Sequence, residues 1–170
     1  PSRRSRPRRR WGAWAAAPIP GVDLVVAEPN DRFKAANLSL QPIPFADNHF
    51  QSVSAYDFLE HVPRVLPTRD GLATRAPFVE LMDEIWRVLA PGGLLYAVTP
   101  AYPHVSVFQD PTHVNVLTGG SHISFTKPKL LGRIYGFRGT FIERRVEWVM
   151  PEGDYESAQR SFIQRVRRRL

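Results

Sequence analysis

The residues with the most chemical capacity fall in one stretch, AYPHVSVFQDPTHVNVLTGGSHISFT, residues 101–126. It holds His104, Asp110, His113 and His122. Imidazole titrates close to neutrality, so His104 or His113 suits the removal of a proton from an acceptor hydroxyl, with Asp110 orienting the ring. Two other readings compete. The three histidines could ligate a metal, but their equal spacing matches no recognised ligand pattern, and no metal is expected from it. Alternatively, Asp110-Pro111-Thr112-His113 is a turn whose side chains cap their own backbone. A second polar cluster, Tyr56, Asp57, Glu60 and His61, closes the run PIPFADNHFQSVSAYDFLEH. A lone acid, Asp23, interrupts the β-rich run GVDLVV. With no cysteine in the chain, thiolate chemistry and disulfides are excluded, which fits a reducing compartment.

These residues need elements to position them. PFVELMDEIWRVL, residues 77–89, predicts a helix: proline suits its first position and Glu80, Asp83 and Glu84 suit its N-terminal half. Phe78, Leu81, Met82, Ile85, Val88 and Leu89 repeat at spacings of three and four, giving one apolar face. Ala90-Pro91-Gly92-Gly93 stops the helix, and Leu94–Thr99 follows as an apolar strand. The run from Phe50 to Asp57 predicts a strand buried on both faces. Strand, helix and strand make a βαβ unit with parallel strands. Shorter strands are expected at 21–26 and 33–38, a short helix at 130–135, and a last strand from Thr140 to Met150. Ligands bind such sheets beyond the carboxyl ends of the strands. Here those ends are Asp23, Asn37, Tyr56 to His61 and Thr99 to His104.

The net charge is +7, and it sits at the ends. Residues 1–17 carry six arginines and no acid, whereas residues 18–150 hold 12 basic and 13 acidic side chains. A nucleic-acid-binding domain shows its basic stripe on the folded body, so nucleic acid is not the expected partner. Residues 1–17 read as a disordered basic tail, 18–150 as the folded domain, and 151–170 as an amphipathic basic C-terminal helix. Arginine-rich ends also suit peripheral contact with an anionic membrane. No apolar run approaches the length of a membrane span.

Taken in order, GVDL, PIPFADNHFQSVSAYDFLEH and LMDEIWRVLAPGGLLYAVTP resemble the central half of a class I S-adenosylmethionine-dependent methyltransferase. That family approaches its fourth strand through a Pro-Phe-x-Asp turn, leaves it through Leu-Glu-His, and ends the next helix in a Pro-Gly-Gly turn. The resemblance covers residues 19–103. It implies an α/β, Rossmann-like sheet, mostly parallel, with an antiparallel C-terminal strand. It implies S-adenosylmethionine as cofactor, with Asp23 accepting from the ribose hydroxyls and Asn37-Leu38 beside the adenine. Tyr56, Asp57 and His61 fall at the methionine end. The acceptor is expected to be a small molecule or saccharide-like, and the location cytoplasmic.

One departure matters. The family's first strand ends in an acidic glycine-rich loop, where cofactor and backbone meet closely because glycine has no Cβ. Before Gly21 this chain has WGAWAAAPIP, with Gly12 alone. A sheet lacking its first strand, with impaired cofactor binding, is therefore expected. Two further hypotheses stay open: a non-catalytic binding module attached through its basic ends to a partner, RNA or membrane, and a metal-dependent hydrolase built on the histidine loop.

Overall fold

A computed structural model describes residues 20–23 and 30–149. The expected basic tail, the C-terminal helix, most of the run after Asp23 and the end of the last expected strand lie outside the described residues. The elements are β1 (Gly21–Asp23), β2 (Phe33–Ala35), β3 (Phe50–Tyr56), β4 (Leu66–Pro67), β5 (Thr74–Arg75), α1 (Pro77–Val88), β6 (Leu89–Val98), β7 (Ala101–Tyr102) and β8 (Leu117–Thr118). Short 3-10 turns cover Leu59–His61, Val105–Phe108, Ser121–Ser124 and Leu131–Tyr135.

The organising unit is β3–α1–β6. Pro77 occupies the first turn of α1, and Leu81, Met82, Ile85 and Val88 are buried along one face. That stripe packs into a core with Ile43, Ala55, Leu59, Val62, Leu117, Phe125 and Phe137. Leu89 caps the helix in an extended conformation, and Gly92 follows at φ +78°, a geometry that glycine adopts without a Cβ penalty. The chain then runs back as β6, parallel to β3, with Ser52 opposite Leu94 and Tyr56 opposite Val98. β1 pairs in parallel with β2, and β7 with β8, each as a separate two-stranded ladder. Parallel strands joined across a helix make this an α/β, Rossmann-like fold.

Two polar latches tie α1 to its surroundings. The Arg87 guanidinium donates to the carbonyls of Ile43 and Phe45, each at 2.9 Å, and to Asp47 at 2.7 Å. Asp83 accepts from the N–H groups of Arg138 at 2.8 Å and Gly139 at 3.0 Å.

Three expectations change. β3 is covered on one face only: Ala55 is buried and Val53 half-buried, while Ser52, Ser54 and Tyr56 on the opposite face are exposed. Val53 and Ala55 face the core built around α1, whereas no described layer covers the other side. The segment from Thr140 is not a strand. Phe141 makes a single parallel bridge to Thr126, and residues 142–149 lack ladder pairing. Its alternation of Ile142, Val146 and Trp148 with charged residues signals an extended chain, but a ladder needs a free neighbouring edge as well. For the same reason no antiparallel C-terminal strand occurs among the described residues; the one antiparallel ladder is β4 with β5.

Candidate functional site

A cleft of about 1420 Å³ runs the length of β6 and on to Ala101, and reaches the carboxyl end of β3 at Asp57. Asp57, Glu60, Thr99, His104, Asp110 and His113 line it, with residues 140–149 along another wall. The chain leaves β3 sharply: Asp57 takes a left-handed φ of 44°, and its N–H donates to the Val98 carbonyl at 2.9 Å. This turn starts the 3-10 segment that buries Leu59 and Glu60.

That segment is held by the loop near residue 113. The Glu60 carbonyl accepts from the N–H groups of Val114 at 3.0 Å and Asn115 at 2.9 Å. Asn115 donates through Nδ2 to the Leu59 carbonyl at 3.2 Å, and its Oδ1 accepts from Arg64 at 2.6 Å. Arg64 also donates to the Val116 carbonyl. The outcome is a fixed corner where His61 and His113 stack edge-to-face, with ring centroids 4.8 Å apart.

Both imidazoles have a defined tautomer, because a carbonyl can only accept. Nδ1 of His113 donates to the Val107 carbonyl at 3.1 Å. Nδ1 of His61 lies 3.2 Å from the Thr112 carbonyl and 2.9 Å from Thr112 Oγ1. The Thr112 hydroxyl gives its proton to Asp110 at 2.6 Å, so it accepts from His61. In the neutral rings Nε2 therefore carries a lone pair on both residues. Both lone pairs belong to nitrogens near Glu60 Oε1, at 4.0 Å for His61 and 3.9 Å for His113. Glu60 is 1% exposed; its Oε2 accepts from Thr99 Oγ1 at 2.7 Å, while Oε1 has no hydrogen-bond partner among the described residues.

The structure thus brings His61 and His113 of the sequence candidates against Glu60, a member of the Tyr56–His61 polar cluster, with Asp110 linked to His61 through Thr112; Asp57 and His104 line the same cleft. Their roles differ from a simple orienting pair. Asp110 does not orient His113 by a hydrogen bond; its Oδ1 accepts from the Thr112 N–H at 2.7 Å and from the Thr112 hydroxyl. The Thr112 hydroxyl, first, and its N–H hold the Asp110 carboxyl below the usual range. This is the expected self-capping turn. His104 caps the 3-10 turn that follows it: Nδ1 accepts from the Ser106 N–H at 3.3 Å and meets Ser106 Oγ at 2.8 Å. A neutral His104 consequently carries its proton on Nε2.

The remaining candidates lie apart from this cleft. Asp23 is exposed at the end of β1, on a ladder of its own with β2. Asn37 spends its side-chain oxygen on the Ser39 N–H at 3.1 Å, and Leu38 packs against the core. Tyr56 is 62% exposed, its ring 5.7 Å from that of Tyr96 on the uncovered sheet face. Asp23 and Asp57, exposed at the ends of strands in two different ladders, are carboxylates of the type that accepts from ribose hydroxyls or an ammonium.

Residues 21–97 match the family model described as "Methyltransferase domain". No curated protein and no solved structure matches the chain. Among the described residues, no helix is long and apolar enough to cross a membrane.

Proposed function

We propose, from the match of residues 21–97 to a methyltransferase domain, that the chain is a class I S-adenosylmethionine-dependent methyltransferase that methylates a hydroxyl of a small or saccharide-like acceptor held in the cleft beside β6. The observation that carries this reading is that Asp57, Glu60, His104 and His113 all line one cleft beside the β3–α1–β6 unit, with His113 Nε2 3.9 Å from Glu60. When bound, S-adenosylmethionine supplies an electrophilic methyl group. Asp23 would hold its ribose hydroxyls and Asn37-Leu38 its adenine, with Tyr56, Asp57 and His61 at the methionine end.

The chain's own groups then have distinct tasks. His104, protonated on Nε2, suits donation to the acceptor oxygen or to a neighbouring hydroxyl. His113 Nε2, with Nδ1 fixed by the Val107 carbonyl, suits receipt of the hydroxyl proton. Glu60 beside it stabilises the imidazolium that results. Asp110 acts through Thr112 on His61. Positioning does most of the remaining work, since reacting atoms held about 3–3.5 Å apart need little further assistance. A cytoplasmic location, and membrane contact through the basic ends, belong to the same proposal.

Isothermal titration of the full chain with S-adenosylmethionine tests it. Micromolar binding that weakens in Asp23→Ala supports the enzyme. A folded chain that takes up no S-adenosylmethionine overturns it and favours the non-catalytic binding module.

A further inference from the structure

Glu60 presents an unusual combination. Its carboxylate is 1% exposed, and Oε1 has no hydrogen-bond partner among the described residues. An ionised oxygen in that position is costly unless something positive compensates it. The basic nitrogens within 4.0 Å are the Nε2 atoms of His61 and His113, at 4.0 and 3.9 Å. Both are too far for a hydrogen bond. Both are also lone-pair acceptors in their neutral rings, because each Nδ1 is committed as a donor. With both rings neutral and the carboxylate ionised, three acceptors face one another, the ligand atoms of Glu60, His61 and His113 all within 4.8 Å.

We propose that Glu60, His61 and His113 bind a divalent transition-metal ion, of the zinc, iron(II) or cobalt(II) class. Two imidazoles and one carboxylate are a borderline donor set, which suits these ions over magnesium or calcium, whose ligands are oxygens. A tetrahedral ion about 2.0–2.2 Å from each donor spaces the donors about 3.4 Å apart. The corner must contract by about half an ångström to an ångström or more along its edges, a movement within the reach of a 3-10 turn and a loop.

The supporting groups have the form that metal sites use. Ligating histidines commonly donate their other N–H to a carbonyl, or towards a carboxylate, which fixes the ring and raises its basicity. His113 does so to the Val107 carbonyl, and His61 through the Thr112 hydroxyl to Asp110. Thr99 holds the second Glu60 oxygen. Glu60 and His113 line the cleft, so an ion with three protein ligands keeps a coordination position towards it. Coordination and direct proton transfer would use the same lone pair of His113. A bound ion would activate an acceptor oxygen by lowering its pKa in place of the imidazole.

The metal site stands independently of methyl transfer, and its test needs no cofactor. The full chain, stripped with a chelator and returned to pH 7.5, is titrated with cobalt(II) and followed by visible absorption, then with zinc(II) by calorimetry. One ion per chain is expected, with ligand-field bands of a four- or five-coordinate cobalt centre, and magnesium should not compete. Glu60→Gln and His61→Ala should each weaken cobalt binding at least tenfold. Thr112→Val, which removes only the relay to Asp110, should weaken it about 10–100-fold. His104→Ala should leave it unchanged. Circular dichroism melting checks the fold of each variant. His61 is partly exposed, so its substitution keeps the test valid if Glu60→Gln fails to fold. No cobalt or zinc uptake by the folded chain overturns the proposal, as does uptake that both the Glu60 and His61 variants retain. Either result leaves His113 as the proton acceptor proposed above.

Discussion

Asn115 and Glu60 hold each other in place. The Asn115 N–H donates to the Glu60 carbonyl at 2.9 Å, and the Asn115 side chain donates to the neighbouring Leu59 carbonyl at 3.2 Å. Asn115 is 1% exposed. Asn115→Leu should therefore strand buried polar groups and lower stability by about 2–3 kcal/mol in urea unfolding. A stability unchanged within error would show that the corner is held elsewhere.

The Pro91-Gly92-Gly93 turn makes a sharper claim, because its two glycines are required for different reasons. Gly92 has a positive φ of 78° with open space around it, whereas a Cβ on Gly93 would sit 2.8 Å from the Ala90 carbonyl and 3.1 Å from that of Gln51. Gly92→Ala should cost about 1–2 kcal/mol through the backbone alone. Gly93→Ala should cost about 2–3 kcal/mol, since both obstructing atoms are backbone and cannot rotate away. Paired denaturant curves that rank the two in the opposite order would refute this assignment.

Acid should act on the pair of Glu84 and Arg87, in which the guanidinium donates to the carboxylate at 2.9 and 2.7 Å. The Arg87 hydrogen bonds, before the smaller contributions of Arg87 charge and the Ile43 N–H, hold the Glu84 carboxyl below the ordinary value of 4.5. A lowered folded-state pKa adds stability that is complete above 4.5 and disappears as pH falls through the folded value. Glu84→Gln should lower stability at pH 7 by about 1–2 kcal/mol, discounted for partial exposure. It should also flatten the fall in stability between pH 5 and pH 3. A variant with the wild-type acid slope would exclude Glu84 as a contributor.

Under the proposed function the two cleft histidines are unequal. In a screen of saccharide and small hydroxyl acceptors, read by S-adenosylhomocysteine release, His113→Ala should lower turnover about 10²–10⁴-fold, the usual range for losing a proton-transfer group. His104→Ala should lower it less, because with Nδ1 accepting from Ser106 a neutral His104 already carries its proton on Nε2 and cannot receive the hydroxyl proton there. A larger loss at His104 would reverse the roles.

The residues alone made the β3–α1–β6 unit legible, because its signals are local. The apolar repeat from Leu81 to Val88, Pro77 at the start and Pro-Gly-Gly after the end act within a few residues of one another. The structure follows them to within one residue for α1, while β6 already starts at Leu89, five residues before the expected strand. The family resemblance of residues 21–97 rests on the same local signals. Self-capping by Asp110 was likewise open to view in Asp-Pro-Thr-His. Tertiary structure decided the rest. Glu60 and His61 meet His113 only because Asn115 and Arg64 bridge segments far apart in sequence, and no spacing rule encodes that encounter. Exposure of Ser52, Ser54 and Tyr56 was hidden for the same reason: a strand's own pattern shows which faces are apolar, but only the elements that pack on it determine which are covered.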